Sequence, residues 1–297
     1  MPIETTETVA AAHAELDTLD PLAMARCFIA AQQGAVAAAL AAGDRIGAAA
    51  AAAVPRLRRG GRLLYFGAGT SGRLALLDAV ELVPTFSWPA QRAIATLAGG
   101  PGAVHQAVEG AEDDAAQAEH DLMALSPTAD DVVIGVAASG RTPYAMAVLR
   151  AARPLGALTI AIVNNPGAPM LALAEHGIVL DTGAEVIAGS TRLKAGTAQK
   201  IALNTLSSCI MVQLEKVYGN LMVDLKATNA KLVARATDLV VRLTGSDTPT
   251  AERTLQACAL EVKTAVVALR CGLDPVDARA RLSGRGGSLR RALRDPL

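Results

Sequence analysis

Leu63-Leu64-Tyr65-Phe66-Gly67-Ala68-Gly69-Thr70-Ser71-Gly72-Arg73 and Val132-Val133-Ile134-Gly135-Val136-Ala137-Ala138-Ser139-Gly140-Arg141-Thr142-Pro143 decide the reading of this chain. In each, a continuous apolar run of strand length enters a turn of small residues ending in Ser-Gly-Arg, and a helical pattern follows. Small residues let a ligand approach the backbone, amides at a helix N-terminus attract anions, and hydroxyls and guanidinium groups add donors suited to phosphate. Ser71, Ser139 and Thr142 are therefore candidate phosphate ligands, with helix capping the alternative for each hydroxyl. Neither turn ends in Gly-Lys-Ser or Gly-Lys-Thr, so a nucleotide P-loop fits poorly. Gly67 to Gly72 satisfies a bare G-x-G-x-x-G, but no acidic ribose partner stands near Arg92.

Working outward, the apolar runs alternate with helical patterns. Residues 63–66, 93–97, 132–136, 159–163 and 178–180 read as strands, with helices predicted from about Ser71 to Leu82, where Pro84 stops the chain, and from Gly102 to Leu125 and Pro143 to Arg153. That order predicts an α/β protein with a doubly wound parallel sheet covered on both faces, in which ligands sit beyond the carboxyl ends of the strands. Ahead of the sheet, Asp20-Pro21 opens an alanine-rich helical segment, and Arg56 to Arg62 reads as a connection. Behind it, Ser190-Thr191-Arg192-Leu193-Lys194 enters a long helix reaching about Tyr218, followed by helices broken at Gly245, Gly272 and Gly284 to Gly287. The expected divisions are an N-terminal helical segment at 1–55, the sheet domain at 56–220 and a helical region at 221–297.

Composition narrows the function. The chain has 297 residues, 52% hydrophobic and 2% aromatic, with 28 basic and 28 acidic residues and a formal net charge of zero. So few aromatics leave little for base stacking, and no net field draws nucleic acid or an anionic membrane. The alanine run near Gly47 to Val54 is too short to span a bilayer, and the acidic N-terminus carries no signal-peptide pattern. Four separated cysteines without a C-x-x-C pair imply buried thiols and a cytoplasmic setting, and four histidines show no metal spacing.

Two carboxylate groups invite chemistry. Glu81 lies toward the C-terminal end of its predicted helix among Val80, Leu82 and Val83, where dipole and apolar neighbours favour the neutral acid; a solvated surface glutamate is the alternative. Glu109 and Glu112, three residues apart, are predicted on one helix face, either supplying a base or complementing the helix dipole. Arg192, Lys194, Gln199 and Lys200 enter a helix that could donate to a sugar or phosphate, with surface solvation the alternative for Lys200.

Together, the two Ser-Gly-Arg turns, Val108-Glu109-Gly110-Ala111-Glu112-Asp113, Ser190 through Lys200, Gly219-Asn220-Leu221-Met222-Val223-Asp224 and Ala227-Thr228-Asn229 resemble the bacterial N-acetylmuramic acid 6-phosphate etherases. The resemblance implies a sugar isomerase (SIS) domain of flavodoxin-like topology, a homodimer, a phosphosugar substrate and a lyase needing no metal or organic cofactor. Carried over by motif, Glu81 is the expected proton donor and Glu112 the second acid/base residue, with Thr70, Ser71, Ser139, Gly140, Arg141, Thr142, Ser190 and Lys194 around the substrate. The chain departs from the family pattern at Val80-Glu81-Leu82-Val83-Pro84 and at Asn164-Asn165-Pro166, where Cys-Asn-Pro is expected.

Overall fold

The computed structural model describes residues 5–225, 227 and 229–294; the first four residues of the acidic N-terminus and Thr228 of the Ala227-Thr228-Asn229 block lie outside them. The chain divides into two compact units, Met1–Val80 with Ala90–Ile210, and Glu81–Pro89 with Met211–Leu297.

The first unit begins with short helical turns and three helices, α1 (Pro21–Ala31), α2 (Gln33–Ala41) and α3 (Gly43–Arg58). Asp20 caps α1 by accepting from the Ala23 amide, with Pro21 in the first turn as the sequence predicts. Strand β1 (Leu63–Gly67) leads into α4 (Gly69–Phe86), and β2 (Ala93–Leu97) is followed by α5 (Ala115–Ala124). Then come β3 (Val132–Val136), α6 (Pro143–Ala152), β4 (Leu158–Val163), β5 (His176–Val179) and α7 (Lys194–Gln213).

All strand pairs are parallel, in the order β2-β1-β3-β4-β5. This is the flavodoxin-like doubly wound order, whose switch point lies between β1 and β3. Leu64, Phe66, Val133, Ala161 and Val163 join the α5 and α6 side chains in one core cluster. The intervening Leu63, Tyr65, Ile134, Ile160 and Ile162 are equally buried, as period-two alternation in a sheet covered on both faces requires.

Polar groups anchor this layer at two places. Asp78 on α4 accepts from Tyr65 Oη at 2.9 Å, Asn204 Nδ2 at 2.7 Å and Ser207 Oγ at 3.0 Å, joining β1, α4 and α7. Burial pushes its carboxyl above the ordinary value despite those hydrogen bonds. At the amino ends of the strands, Asp131 accepts from the backbone, Nε and Nη2 of Arg62, the last at 2.6 Å, and from the Thr128 amide. Burial pushes Asp131 up, but the Arg62 and Thr128 hydrogen bonds and the Arg62 charge outweigh it and leave the carboxyl below its ordinary value.

A carboxyl depressed in the folded state contributes stability above its unfolded value of about 3.9, and loses it as pH falls through the folded value. Arg62→Met should therefore be less stable than the parent in urea titrations at about pH 6, with the deficit shrinking toward about pH 2. A deficit independent of pH would show that Arg62 contributes through packing and its hydrogen bonds to the Leu125 and Ser126 carbonyls rather than through its charge pair with Asp131.

In the second unit, α8 (Ala230–Thr244), α9 (Thr248–Ala257), α10 (Val262–Cys271), α11 (Pro275–Gly284) and α12 (Leu289–Arg294) enclose a core that includes Leu239, Val240, Leu255, Val266 and Leu282. Asn229, Asp247 and Asp274 cap α8, α9 and α11. The glycine breaks at 245, 272 and 284 to 287 fall at helix ends, as the sequence indicates.

Several boundaries differ from the sequence reading. Pro55 and Pro84 lie inside α3 and α4 rather than ending them. The carbonyls four residues earlier belong to Ala51 and Val80, both exposed, where water can replace the lost bond. The long helix α7 stops at Gln213 because Glu215, at φ 63°, turns the chain out of the helical conformation. The stretch predicted helical from Gly102 to Leu125 is instead two single turns, Pro101–Val104 and Ala111–Asp113, followed by α5. Gly110, at φ 72°, separates Glu109 from Glu112, so the two share no helix face. Finally, Pro21–Ala41, ahead of the alanine run, is apolar enough by length and composition to cross a membrane. Gln32 divides it into α1 and α2.

Candidate active site

Because β1 and β3 are neighbours with Gly67 opposite Val136, the two Ser-Gly-Arg turns leave adjacent strand ends at the switch point. The two turns differ in what their glycines do. A Cβ on Gly72 would lie 2.6 Å from the Gly67 carbonyl oxygen, so this glycine lets α4 start directly against β1. Gly140 sits at φ 62°, and a Cβ there would also meet Ala168 Cβ at 2.5 Å. One glycine serves close approach and the other a left-handed turn.

The hydroxyls also divide. Thr70 and Ser71 lie within the first turn of α4, Ser71 being buried, rather than on a loop ahead of it. Ser139 Oγ accepts from the Arg141 amide at 3.1 Å, closing the second turn. Thr142 occupies the N-cap position of α6, yet its side chain makes no capping hydrogen bond. Capping, the alternative role for this hydroxyl, therefore does not explain Thr142.

A third turn approaches the first. A Cβ on Gly196 would stand 3.3 Å from Thr70 Cγ2, which places the start of α7 beside the start of α4. Ser190 and Lys194 are half-buried in this turn. The amides of Lys194 and Ala195 donate to the buried Glu185 carboxylate at 3.2 and 2.8 Å, so a side chain of the protein already occupies that helix N-terminus. Gln199 is buried, and its Nε2 donates to Asn164 Oδ1 at 2.9 Å. Asn164, one of the residues where the family pattern is broken, donates in turn to the carbonyls of Leu180 and Ala195. Arg192 and Lys200 are exposed.

A cavity of 370 Å³ joins the first turn to the acidic segment, lined by Ala68, Gly69, Arg73, Glu109, Gly110 and Glu112 among others. Its volume suits a small ligand. Glu112 thus shares a cavity with the first Ser-Gly-Arg turn, although no local pattern links them. Arg73, read from the sequence as an added anion donor, instead donates from Nε to the Val104 carbonyl at 3.1 Å and from Nη2 to the Gln106 carbonyl. It braces the loop that carries Glu109 and Glu112. Glu81 is exposed on α4 and opens the Glu81–Pro89 segment of the second unit, with the helix continuing beyond it to Phe86. It is therefore not at a helix end, and its position lacks the apolar enclosure expected of it. Among the described residues no group of three or more His, Cys, Asp or Glu side chains could hold a metal ion.

Sequence comparison gives this geometry a family. Over 288 residues, 97% of this chain and 94% of the relative, the sequence is 57% identical to the N-acetylmuramic acid 6-phosphate etherase of Deinococcus radiodurans. The chain belongs to the N-acetylmuramic acid 6-phosphate etherases. Family members from Serratia proteamaculans and Vibrio vulnificus are 50% and 46% identical, over 94% and 98% of this chain and 94% and 97% of their own lengths. The profile of the glucokinase regulatory protein N-terminal SIS domain matches residues 45–153, and that of the SIS domain matches residues 105–208. The etherase fold is thus the SIS fold that the motifs implied, with the five-stranded order described above.

Within this etherase framework, neither the capping role of Glu185 nor the bracing role of Arg73 follows from the sequence. Glu185 stands nine residues before the helix it caps, too far for a capping pattern, and Arg73 meets carbonyls more than thirty residues away. Only the repeated Ser-Gly-Arg ending hinted that Arg73 mattered.

Proposed function

We propose that this chain cleaves the C3 lactyl ether of N-acetylmuramic acid 6-phosphate, giving N-acetylglucosamine 6-phosphate and D-lactate in the recycling of cell-wall amino sugar. The observation carrying this reading is the 57% identity to an etherase across 97% of the chain. The cavity shared by the first turn and Glu112 fits it. Thr70, Ser71, Ser139, Gly140, Arg141, Thr142, Ser190 and Lys194 are the proposed contacts to the phosphosugar, the phosphate being gripped at the two Ser-Gly-Arg turns. Residues 56–220 are proposed as the SIS phosphosugar-binding domain, flanked by helical regions at 1–55 and 221–297.

The chemistry follows from the substrate. Ring opening exposes a C1 aldehyde and makes the C2 hydrogen acidic, so a carboxylate can remove it while donors stabilise the enolate. Glu112 is the proposed base. The electron pair left at C2 forms the C2–C3 double bond as the C3–O bond breaks, and Glu81 protonates the departing lactate oxygen. Water then adds its hydroxyl to C3 and a proton to C2, giving the N-acetylglucosamine 6-phosphate aldehyde, which closes to the ring. Two carboxylates in different protonation states suffice for these transfers.

The decisive assay is incubation of the pure chain with N-acetylmuramic acid 6-phosphate and measurement of D-lactate. Folded protein that releases none would sink the reading and favour a sugar-phosphate isomerase, with a ketose product, or a phosphosugar-binding regulator, the reading suggested by the glucokinase regulatory protein profile. Ser139→Ala should raise KM for the phosphosugar by about tenfold with little change in kcat, as loss of uniform binding does. An unchanged KM would remove Ser139 from the site.

The cytoplasm is the proposed compartment, in keeping with the four free cysteines. A homodimer is the proposed assembly. Leu22, Ile29, Val36 and Leu40 are exposed at helical spacing on α1 and α2, an apolar row that a second copy would cover. Sedimentation equilibrium tests this: Ile29→Glu should shift the protein toward monomer.

A further inference from the structure

Thr6 is fully buried and Asn165 is 3% exposed, although the two are far apart in sequence. Asn165 Oδ1 accepts from Thr5 Oγ1 at 2.9 Å and from the Thr6 amide at 3.3 Å. Its Nδ2 donates to Thr6 Oγ1 at 3.0 Å and to the Ala138 carbonyl at 2.9 Å. The Thr6 carbonyl accepts from the Gly189 amide at 3.2 Å. Glu7 lies over the same turn, since a Cβ on Gly189 would come within 2.9 Å of its Oε2. Ala138 immediately precedes Ser139, and Gly189 immediately precedes Ser190. One buried threonine thus ties together two turns that leave different parts of the sheet edge.

We infer that the N-terminal arm Thr5–Glu7 is a positioning element of the phosphate site, with Thr6 and Asn165 setting the spacing between the Ser139 and Ser190 turns. The inference rests on the proposal that the Ser139 turn grips the substrate phosphate and that Ser190 contacts the same phosphosugar. Thr6 touches no substrate in this arrangement: its amide, hydroxyl and carbonyl are all engaged by protein groups. Its effect is to hold both turns where one phosphosugar meets them, so that binding does not have to order the turns. Loss of the hydroxyl leaves one Asn165 N–H without its acceptor in a buried place and frees the two turns to move apart.

Thr6→Val, which keeps the shape and removes the hydroxyl, should raise KM for N-acetylmuramic acid 6-phosphate about tenfold while kcat stays within about threefold. Thr6→Ser should restore the parent KM. In calorimetry, affinity for N-acetylglucosamine 6-phosphate should fall in parallel, and that for unphosphorylated N-acetylglucosamine should not change; general loosening of the fold would weaken both. If Thr6→Val does not fold, Thr5→Val serves in its place, with an expected threefold rise in KM reversed in Thr5→Ser. An unchanged KM in the arm variants, beside a raised KM in Ser139→Ala, overturns the arm inference and leaves the phosphate site standing. An unchanged KM in Ser139→Ala as well overturns both. A fall in kcat at constant KM also overturns the inference.

Discussion

Glu112→Gln is expected to lower kcat about 10³-fold, within the range for loss of a positioned general base, while KM stays close to the parent value. The substitution keeps the side chain's size and removes its capacity to accept a proton from carbon. Glu112 is exposed in the single helical turn Ala111–Asp113, so stability should change by less than about 0.5 kcal/mol. Lost turnover would then be chemical rather than structural. Solvent deuterium distinguishes the roles of the two carboxylates. The parent should incorporate it at C2 during turnover, and Glu112→Gln should not. Glu81→Gln should still exchange C2 while releasing lactate slowly, because the acid acts at the leaving oxygen after the proton has gone. Full C2 exchange in Glu112→Gln would defeat the base assignment, and loss of exchange in both variants would mean that the two steps are concerted.

Gly72→Ala is expected to destabilise the first unit by about 3 kcal/mol, at the upper end for overpacking, because its obstruction is backbone. The new methyl would sit 2.6 Å from the Gly67 carbonyl oxygen and 3.0 Å from Leu97 Cγ. Relief requires α4 to move away from β1, and with it Thr70 and Ser71. The thermal midpoint should fall by about 6–12 °C, and the surviving folded fraction should show a raised KM. Gly69→Ala makes a useful comparison: that residue is at φ 52° with nothing near its Cβ position, so its cost is conformational only and should be smaller. Equal midpoints for Gly72→Ala and the parent would show that α4 can shift freely.

The fold was largely legible because its strands are short apolar runs buried on both faces, such as Leu63 to Phe66 and Val132 to Val136, each followed by glycine-rich turns. The helix boundaries were less so. Pro55 and Pro84 are reliable stops only when the carbonyl they strand cannot reach water, and exposure is a tertiary property. At the site, the hydroxyls could be named from the sequence, but their circumstances could not. Ser71 is buried in a first helical turn, Thr142 caps nothing, and Gln199 is absorbed by Asn164.

The amino-acid sequence by itself determined the doubly wound sheet, the repeated Ser-Gly-Arg turns, the membership implied by the motif blocks and the identity of the candidate carboxylates. These depend on local periodicity, turn chemistry and residue type, which are carried along the chain. The tertiary structure alone decided that β1 and β3 are neighbours, that Glu112 shares a cavity with the first turn, that Arg73 braces a loop and that Thr6 spans two turns through Asn165. Each of these joins residues far apart in the chain through hydrogen bonds or packing between different strand ends. Such contacts leave no periodic signature, because their geometry exists only once the sheet has brought the ends together.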